Sequence, residues 1–144
     1  MVTKEFMEKY RWALEESHCK GNINALDQVE DPNLVLHMPP YPDVKGLAAA
    51  KQGTMGFLQG FTNWRVEFEE MISEGDNIAC RCTWYMKHTG TTPVLPIPPT
   101  NKEVALRGSL FARVKNGKIV EEFMYNDNLG WMQQLGVVPP MGQK

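Results

Sequence analysis

The sequence has no long apolar run, little cysteine and no excess of charge of either sign. No segment approaches the roughly 20 consecutive apolar residues that a membrane-spanning helix requires. Residues 1–21 carry acidic side chains throughout, so they lack the uninterrupted apolar core of a signal peptide. We therefore expect a cytoplasmic protein that has no membrane partner.

Positive and negative charges nearly balance. The 15 Lys plus Arg and 17 Asp plus Glu leave a formal net charge of -2 at pH 7. No basic cluster is dense enough to hold a polyphosphate backbone against competing salt. Nucleic acid is therefore not an expected partner.

Cysteine and histidine show no pattern of a metal site or a disulfide. The three cysteines are Cys19, Cys80 and Cys82, and the last two lie two residues apart on one predicted strand face, where a mutual disulfide is geometrically awkward. Together with the three histidines they give no recognised zinc-ligand spacing. The sequence also has no G-x-G-x-x-G and no P-loop. We expect reduced core thiols, no metal and no cofactor.

The length and the hydrophobic pattern predict one α+β domain over residues 1–144. A chain of 144 residues with 42% hydrophobic residues suits a single core. Apolar residues recur at helical spacing over 3–18, and 47–61 has the composition of a second helix. From Trp64 the period changes to two, and mostly tight turns join four long strands, which predicts an antiparallel sheet followed by a short helix ending at Gly136. There is no βαβ alternation to indicate a parallel sheet.

One predicted strand carries an apolar face that ends in a histidine. Within residues 81–90, period-two geometry puts Cys82, Trp84 and Met86 on one side, and His88 continues that side. An imidazole in that position is either a hydrogen-bonded core group or part of a pocket. After it comes a stretch with four prolines, residues 91–100, which predicts a long crossing loop.

Several segments, in their order and spacing, resemble the SnoaL-like polyketide cyclase family, which has the fold of nuclear transport factor 2. The matching segments are "VLHMPPYPDVKGLAAAKQ" (35–52), "ISEGDNIACRCTW" (72–84), "KHTG" (87–90), "PPTNKEV" (98–104) and "ARVKNGKIVEEFMYNDNLGWMQQLG" (112–136). The resemblance implies a cone-shaped α+β barrel, in which a strongly curved antiparallel sheet wraps around N-terminal helices and leaves an apolar pocket. It also implies a homodimer or homotetramer.

Asp127 is the first candidate catalytic residue. It has the strand parity of Ile119, Phe123 and Tyr125, which predicts that its carboxylate points inward, where burial would raise its pKa. The resemblance implies that an aspartate here is the acid/base of an intramolecular aldol closure. The alternative is that Asp127 only caps the helix that begins near Asn128.

His88 and His37 are the other two candidate catalytic residues. A neutral His88 at the end of an apolar face could hydrogen-bond a carbonyl and stabilise an enolate, and "KHTG" resembles a histidine region of the family. His37 precedes a double proline that would hold its ring in place, and it matches a histidine that is frequent in the family. For both, the alternative is a structural histidine.

Large apolar residues are assigned to a pocket wall or to the core. The candidate substrate-binding residues are Tyr10, Trp64, Trp84, Met86, Phe123 and Tyr125. With these residues, the resemblance implies a cyclase or isomerase that uses acid/base catalysis, without a cofactor, on a small and largely apolar carbonyl metabolite. The alternatives are a non-catalytic module for binding or dimerisation, and a dehydratase or epoxide hydrolase-like enzyme.

Overall fold

Three α-helices, one 3-10 helix and six strands appear in the computed structural model, which describes residues 1–142. The predicted domain also included residues 143 and 144, which lie outside the described residues. None of the helices within residues 1–142 is long and apolar enough to cross a membrane. In chain order the elements are α1 (Lys4–Cys19), the 3-10 helix (Ile23–Gln28), β1 (Glu30–His37), β2 (Val44–Lys45), α2 (Leu47–Leu58), β3 (Phe61–Glu74), β4 (Asn77–His88), β5 (Glu103–Lys115), β6 (Lys118–Asn126) and α3 (Asn128–Leu135).

The six strands form one open, curved sheet in the order β2-β1-β6-β5-β4-β3. The four long strands β3 to β6 pair antiparallel, so that prediction is confirmed. One pair is parallel, because β1 lies beside β6 in the same direction. These two strands come from opposite ends of the chain, so no local βαβ pattern could reveal their pairing.

The helices pack on the concave face of the sheet. Helix α1 begins at Thr3, whose hydroxyl accepts a hydrogen bond from the Phe6 backbone N–H at 3.0 Å. Its buried residues, Tyr10, Ala13, Leu14 and Ser17, have helical spacing and form the stripe that faces the core. Helix α3 stops at Gly136, as predicted. Gly136 follows its last residue, Leu135, and has a left-handed φ of 81°, which glycine tolerates.

The face of β4 predicted to be apolar points into the core. Its residues Ile78, Cys80, Cys82, Trp84, Met86 and His88 are each 4% exposed or less. The proline-rich segment leaves the sheet after His88 and returns to the same residue. The His88 N–H donates to the Lys102 carbonyl at 2.9 Å, and the Asn101 N–H donates to the His88 carbonyl at 2.8 Å. Both hydrogen bonds fix the end of β4.

A β-bulge in β6 reverses which side chains of that strand point inward. Arg113 pairs with Glu121 while Val114 pairs with Ile119, so Val120 is an extra residue. Ile119 is buried before the bulge, and Glu122 is buried after it. Phe123 and Tyr125 consequently lie on the outer face, which corrects the prediction that they share the inward side of Ile119.

Candidate functional site

Five aromatic rings pack together where the concave face ends, and we call them the aromatic cluster. They come from α2, β3, β4 and α3, and they are Phe57, Phe61, Trp64, Trp84 and Trp131. Neighbouring ring centroids lie 5.2 to 6.2 Å apart, within the usual range of aromatic pairs. Phe57 and Trp64 are only half-buried, so the cluster reaches the surface at α2 and β3.

His88 contacts this cluster, and its hydrogen bonds determine its tautomer. The fully buried ring lies 5.0 Å from the ring of Phe61. Its Nδ1 accepts a hydrogen bond from the Thr100 backbone N–H at 3.1 Å, with the Thr100 hydroxyl 3.0 Å away. Because a backbone N–H can only donate, Nδ1 of the neutral ring carries no proton and Nε2 does. The Nε2–H finds no acceptor among residues 1–142.

Trp131 supplies a second unpartnered donor. Its ring lies 5.4 Å from Phe61 and 5.6 Å from Phe57, and its Nε1–H likewise has no acceptor in the described part of the chain. Buried polar groups nearly always have a hydrogen-bond partner, so each exception needs an explanation. Each of these unpartnered donors would suit an incoming acceptor oxygen such as a carbonyl.

His18 contacts the same cluster from α1, and sequence reasoning missed it. Its ring lies 4.7 Å from Trp84 and 6.3 Å from Trp64. Its Nδ1 is 3.1 Å from the Leu14 carbonyl and 2.9 Å from the Ser17 hydroxyl, which itself donates to that carbonyl. Since a carbonyl only accepts, Nδ1 carries the proton and Nε2 has the free lone pair. Desolvation by burial lowers the pKa of His18 to about 4, so the ring is neutral at pH 7.

Asp127 caps α3 and does not point into the interior. Its carboxylate is exposed and accepts a hydrogen bond from the Gly130 backbone N–H at 2.8 Å, while its own N–H donates to the Arg107 carbonyl at 2.7 Å. The predicted inward direction is wrong, because the bulge at Val120 changes the parity on which it depended. The structure therefore does not bring Asp127 together with the buried ring of His88.

His37 lies on the outer face of the sheet, between two carboxylates. Its Nε2 is 2.8 Å from Glu121 and its Nδ1 is 2.9 Å from Asp43. The hydrogen bond to Glu121, followed by that to Asp43, raises the pKa of His37. The ring also stacks on Phe123 at 4.5 Å. His37 thus links three parts of the chain: its own strand β1, strand β6, and the segment that precedes β2. The sheet separates it from the aromatic cluster.

The six predicted substrate-binding residues divide between three places. Trp64, Trp84 and Met86 lie on the concave face at or beside the aromatic cluster. Phe123 and Tyr125 line a shallow cleft on the outer face, and Tyr125 is half exposed. Tyr10 is fully buried at the other end of the concave face, where its hydroxyl donates to Glu122 at 2.8 Å.

A buried acidic group around Tyr10 was also missed. Glu30 and Glu122 are hydrogen-bonded to each other, and burial is the main cause that raises the pKa of both carboxyls and of Tyr10. Glu122 lies in the row of Ala112 and Ile78. His88 is ten residues further along β4, a path of about 30 Å at the usual rise per strand residue. This acidic group therefore belongs to the core and cannot share a reactant with His88.

Some of the missed residues carried a usable sequence signal. His18 follows Tyr10 and Leu14 at helical spacing, so it extends the apolar stripe of α1. Trp131 is four residues after Asp127, one turn into a helix that was predicted. The contact of Thr100 with His88 had no such signal, because it depends on how the proline-rich segment folds back.

Comparisons with known proteins agree with this fold. The family model for SnoaL-like polyketide cyclase matches residues 8–135. No curated protein matches the sequence.

Solved structures with the same fold share little sequence with this chain. TsrD from Streptomyces laurentii has a TM-score of 0.84 at 15% identity, covering 96% of this chain and 100% of its own. A candidate polyketide cyclase from Acidithiobacillus ferrooxidans has a TM-score of 0.81 at 22% identity, covering 94% and 97%. A Catenulispora acidiphila protein with a ketosteroid isomerase-like fold, in complex with trimethylamine, has a TM-score of 0.74 at 14% identity, covering 95% and 96%. At these identities the likeness shows the fold alone.

Proposed function

Because this chain belongs to the SnoaL-like polyketide cyclase family, we propose that it is a cofactor-independent cyclase or isomerase. Its substrate is a small, largely apolar carbonyl compound that binds at the aromatic cluster. The reaction begins when a proton is removed from the carbon next to the carbonyl, and an enolate forms. Ring closure or transfer of the proton to another carbon then completes the reaction.

One observation carries this proposal: the buried Nε2–H of His88 has no acceptor in the described residues. A carbonyl oxygen bound there would accept that hydrogen bond, and the bond would strengthen as negative charge develops on the oxygen. The cluster around it is apolar, so water does not compete for the donor. Neutral His88 acts in this scheme as an electrophile that stabilises the oxyanion, and the Thr100 N–H keeps it in that tautomer.

Two groups are candidates for the proton acceptor, Asp127 and His18. Asp127 was predicted for this role and carries an exposed carboxylate at the N-terminus of α3, one turn before Trp131. Because the acidic carbon is bonded to the carbonyl carbon, Asp127 could take the proton only from a ketone whose oxygen is bound at Trp131, which lies on the same helix. His18 has a free lone pair on Nε2, and its ring lies 4.7 Å from the ring of Trp84.

Exchange of hydrogen for deuterium next to the carbonyl tests the proposal without knowledge of the natural substrate. Wild-type protein is incubated in D₂O with 1-tetralone, 2-tetralone and an acyclic aryl ketone, and loss of the proton signal is followed by NMR. We expect exchange above the uncatalysed rate for at least one bicyclic ketone. Exchange at the background rate for all three would overturn the proposal.

Two substitutions at one position make this experiment specific. In His88→Asn an amide oxygen can still accept from Thr100 while the donor at Nε2 is lost, and in His88→Gln the amide nitrogen lies near the Nε2 position. We expect exchange to fall about 100-fold in His88→Asn, the usual loss of an oxyanion donor, and less in His88→Gln. Asp127→Asn tests the second role, since it leaves an oxygen able to cap α3.

A non-catalytic binding module is the second candidate function. The exposed cap at Asp127 favours it, because the predicted base is not next to the buried donor. Its signature is tetralone binding, measured by tryptophan fluorescence, with no exchange in wild type.

A further inference from the structure

The aromatic cluster has a polar group at each of two ends, and the two groups have opposite hydrogen-bonding characters. At the end of β4, His88 presents a proton on Nε2, and the Thr100 N–H fixes this arrangement. At the α1 side, His18 presents a lone pair on Nε2, because its Nδ1–H is bound to the Leu14 carbonyl. One histidine is therefore a donor, and the other is an acceptor.

The separation of the two histidines sets the length of a molecule that could contact both. His18 lies 4.7 Å from the ring of Trp84, and His88 is four residues beyond Trp84 on the same face of β4. Four residues span about 13 Å at the usual rise of a strand. Two fused six-membered rings that carry an oxygen at each end have about this length once a hydrogen bond of about 2.8 Å is added at each end.

The wall between the two histidines favours a flat molecule. Trp64 contacts His18, Phe57, Phe61 and Trp84, and so it bridges the two ends of the cluster. Aromatic rings offer large apolar surfaces that prefer stacked or edge contacts with another ring. An aromatic bicyclic ligand makes more of these stacked and edge contacts than a flexible aliphatic chain does.

We propose that His18 is a ligand-binding residue that accepts a hydrogen bond from a hydroxyl, so that the site selects a flat hydroxyketone. The ketone oxygen lies at His88 and Trp131, and the hydroxyl lies at His18. The His88 end of this arrangement rests on the proposed function, whereas the His18 end is an independent addition to it. Burial lowers the pKa of His18 to about 4. The ring is therefore uncharged at neutral pH, and its Nε2 lone pair is free.

Four matched compounds separate the two ends. They are tetralin with neither group, 1-tetralone with the carbonyl, 5,6,7,8-tetrahydro-2-naphthol with the hydroxyl, and 6-hydroxy-1-tetralone with both. Dissociation constants are measured for wild type by tryptophan fluorescence and checked by calorimetry. We expect the carbonyl and the hydroxyl each to tighten binding about 3- to 10-fold, the range of one net hydrogen bond.

Substitutions at the two histidines should remove the two gains separately. In His18→Asn the amide can still donate near the Nδ1 position but provides no acceptor at the Nε2 position. We expect this variant to lose the gain from the hydroxyl and to keep the gain from the carbonyl. The matched variant His88→Asn should do the converse.

The outcomes distinguish failure of this inference from failure of the proposed function. A carbonyl gain that depends on His88, together with no hydroxyl gain in wild type, overturns the role of His18 and leaves the proposed function standing. A hydroxyl gain that persists in His18→Asn also overturns it. If none of the four compounds binds, both proposals fail.

A measurement on wild type guards against a variant that does not fold. The ¹⁵N signal of His18 Nε2 is followed by NMR while tetralin and tetrahydro-2-naphthol are added in turn. An upfield change with the hydroxyl compound alone is the expected result, because the lone pair then accepts a hydrogen bond. No change on saturation with the hydroxyl compound contradicts the inference.

Discussion

At the scale of single residues, the chemistry of the aromatic cluster depends on where two imidazole rings carry their protons. His88 is bound by a backbone N–H, and His18 is bound by a backbone carbonyl. These two backbone groups have opposite characters, so the free nitrogens of the two rings do as well. Neither tautomer can be inferred from the sequence, since Thr100 reaches His88 only through the fold of the proline-rich segment.

The lowered pKa of His18 gives a pH-dependent contribution to stability. The group takes up its proton near pH 6.5 in the unfolded chain and near pH 4 in the folded protein, so the unfolded state binds more protons between these values. The contribution is complete above pH 6.5 and is lost as pH falls to 4, by at most about 3 kcal/mol. We expect urea unfolding of His18→Asn to show a flatter pH dependence between 4 and 6.5 than wild type.

His37 is the natural comparison for that experiment. Its pKa is raised by Glu121 and Asp43, so its contribution is present at low pH and is lost as pH rises through the folded value. His37→Gln should therefore change the pH dependence in the direction opposite to His18→Asn. Equal slopes in wild type and His18→Asn would show that the ring of His18 is not desolvated.

At the scale of the elements, the predicted inward and outward side chains are correct in β4, where the alternation is regular. They are wrong in β6 after the extra residue of its β-bulge. The alternation in β4 correctly indicated that His88 ends an inward apolar face. The same reasoning misassigned Phe123, Tyr125 and Asp127, because the extra residue Val120 breaks the period in β6. A bulge leaves no clear mark in a single sequence, so Glu122 was missed for the same reason.

The buried pair of Glu30 and Glu122 should destabilise the protein as pH rises. Burial, followed by the neighbouring Glu122, raises the pKa of Glu30, so the pair favours the protonated form in the folded state. That stability is complete below the unfolded pKa near 4.5 and is lost as pH rises through the folded pKa. We expect Glu30→Gln to be more stable than wild type at pH 8, by denaturant unfolding, and to lose this advantage near pH 4.5.

Glu103→Gln is the matched control, since Glu103 is an exposed carboxylate of β5. It should leave unfolding at both pH values within about 0.5 kcal/mol of wild type, as surface changes usually do. A Glu30→Gln protein that is less stable than wild type at pH 8 would mean that the pair is ionised and stabilising.

Two glycines should respond oppositely to alanine. At Gly108 an added Cβ would clash with the Asn126 side-chain oxygen and would lie 3.0 Å from the Tyr125 carbonyl oxygen, so the Asn126 side chain would have to move and the β6 backbone would have to shift slightly. At Gly53, inside α2, the Cβ would meet nothing within 4 Å. We expect Gly108→Ala to cost about 1–3 kcal/mol of unfolding free energy. Gly53→Ala should add about 1 kcal/mol through helix propensity. A neutral Gly108→Ala in urea unfolding would contradict the close approach of the two strands.

At the scale of the whole molecule, the sheet has one covered face and one bare face. The helices within residues 1–142 pack on the concave side, whereas Ile72, Phe111 and Tyr125 on the outer face are 59%, 49% and 50% exposed. Large exposed apolar patches commonly mark interaction surfaces. The family resemblance leads us to expect a homodimer or homotetramer, and we propose that the outer face is its interface.

A charge on that face should therefore weaken assembly. We expect the wild-type protein to sediment as a dimer or larger assembly, and we expect Phe111→Glu to shift it toward the monomer in analytical ultracentrifugation. Met55→Glu is the control, because Met55 is 43% exposed but lies on α2, on the other side of the sheet. A monomeric wild type, or equal dissociation in both variants, would contradict an interface on the outer face.

The overall architecture was more predictable than the chemistry it supports. The α+β class, the four long antiparallel strands and the final helix follow from local periodicity and turn residues, which the sequence displays directly. The pairing of β1 with β6 and the contact of Thr100 with His88 join residues far apart in the chain. The aromatic cluster is of this second kind, since its five rings come from four different elements.

The most direct test of the account is an NMR measurement of the His88 ring in wild-type protein. The ¹H–¹⁵N correlations of the imidazole are recorded without ligand and with saturating 1-tetralone. We predict a proton on Nε2 and none on Nδ1 in the free protein, and a downfield change of the Nε2–H signal when the ketone binds. A proton on Nδ1, or an Nε2–H signal that does not change at saturation, would contradict the assignment of His88 as the donor to a bound carbonyl.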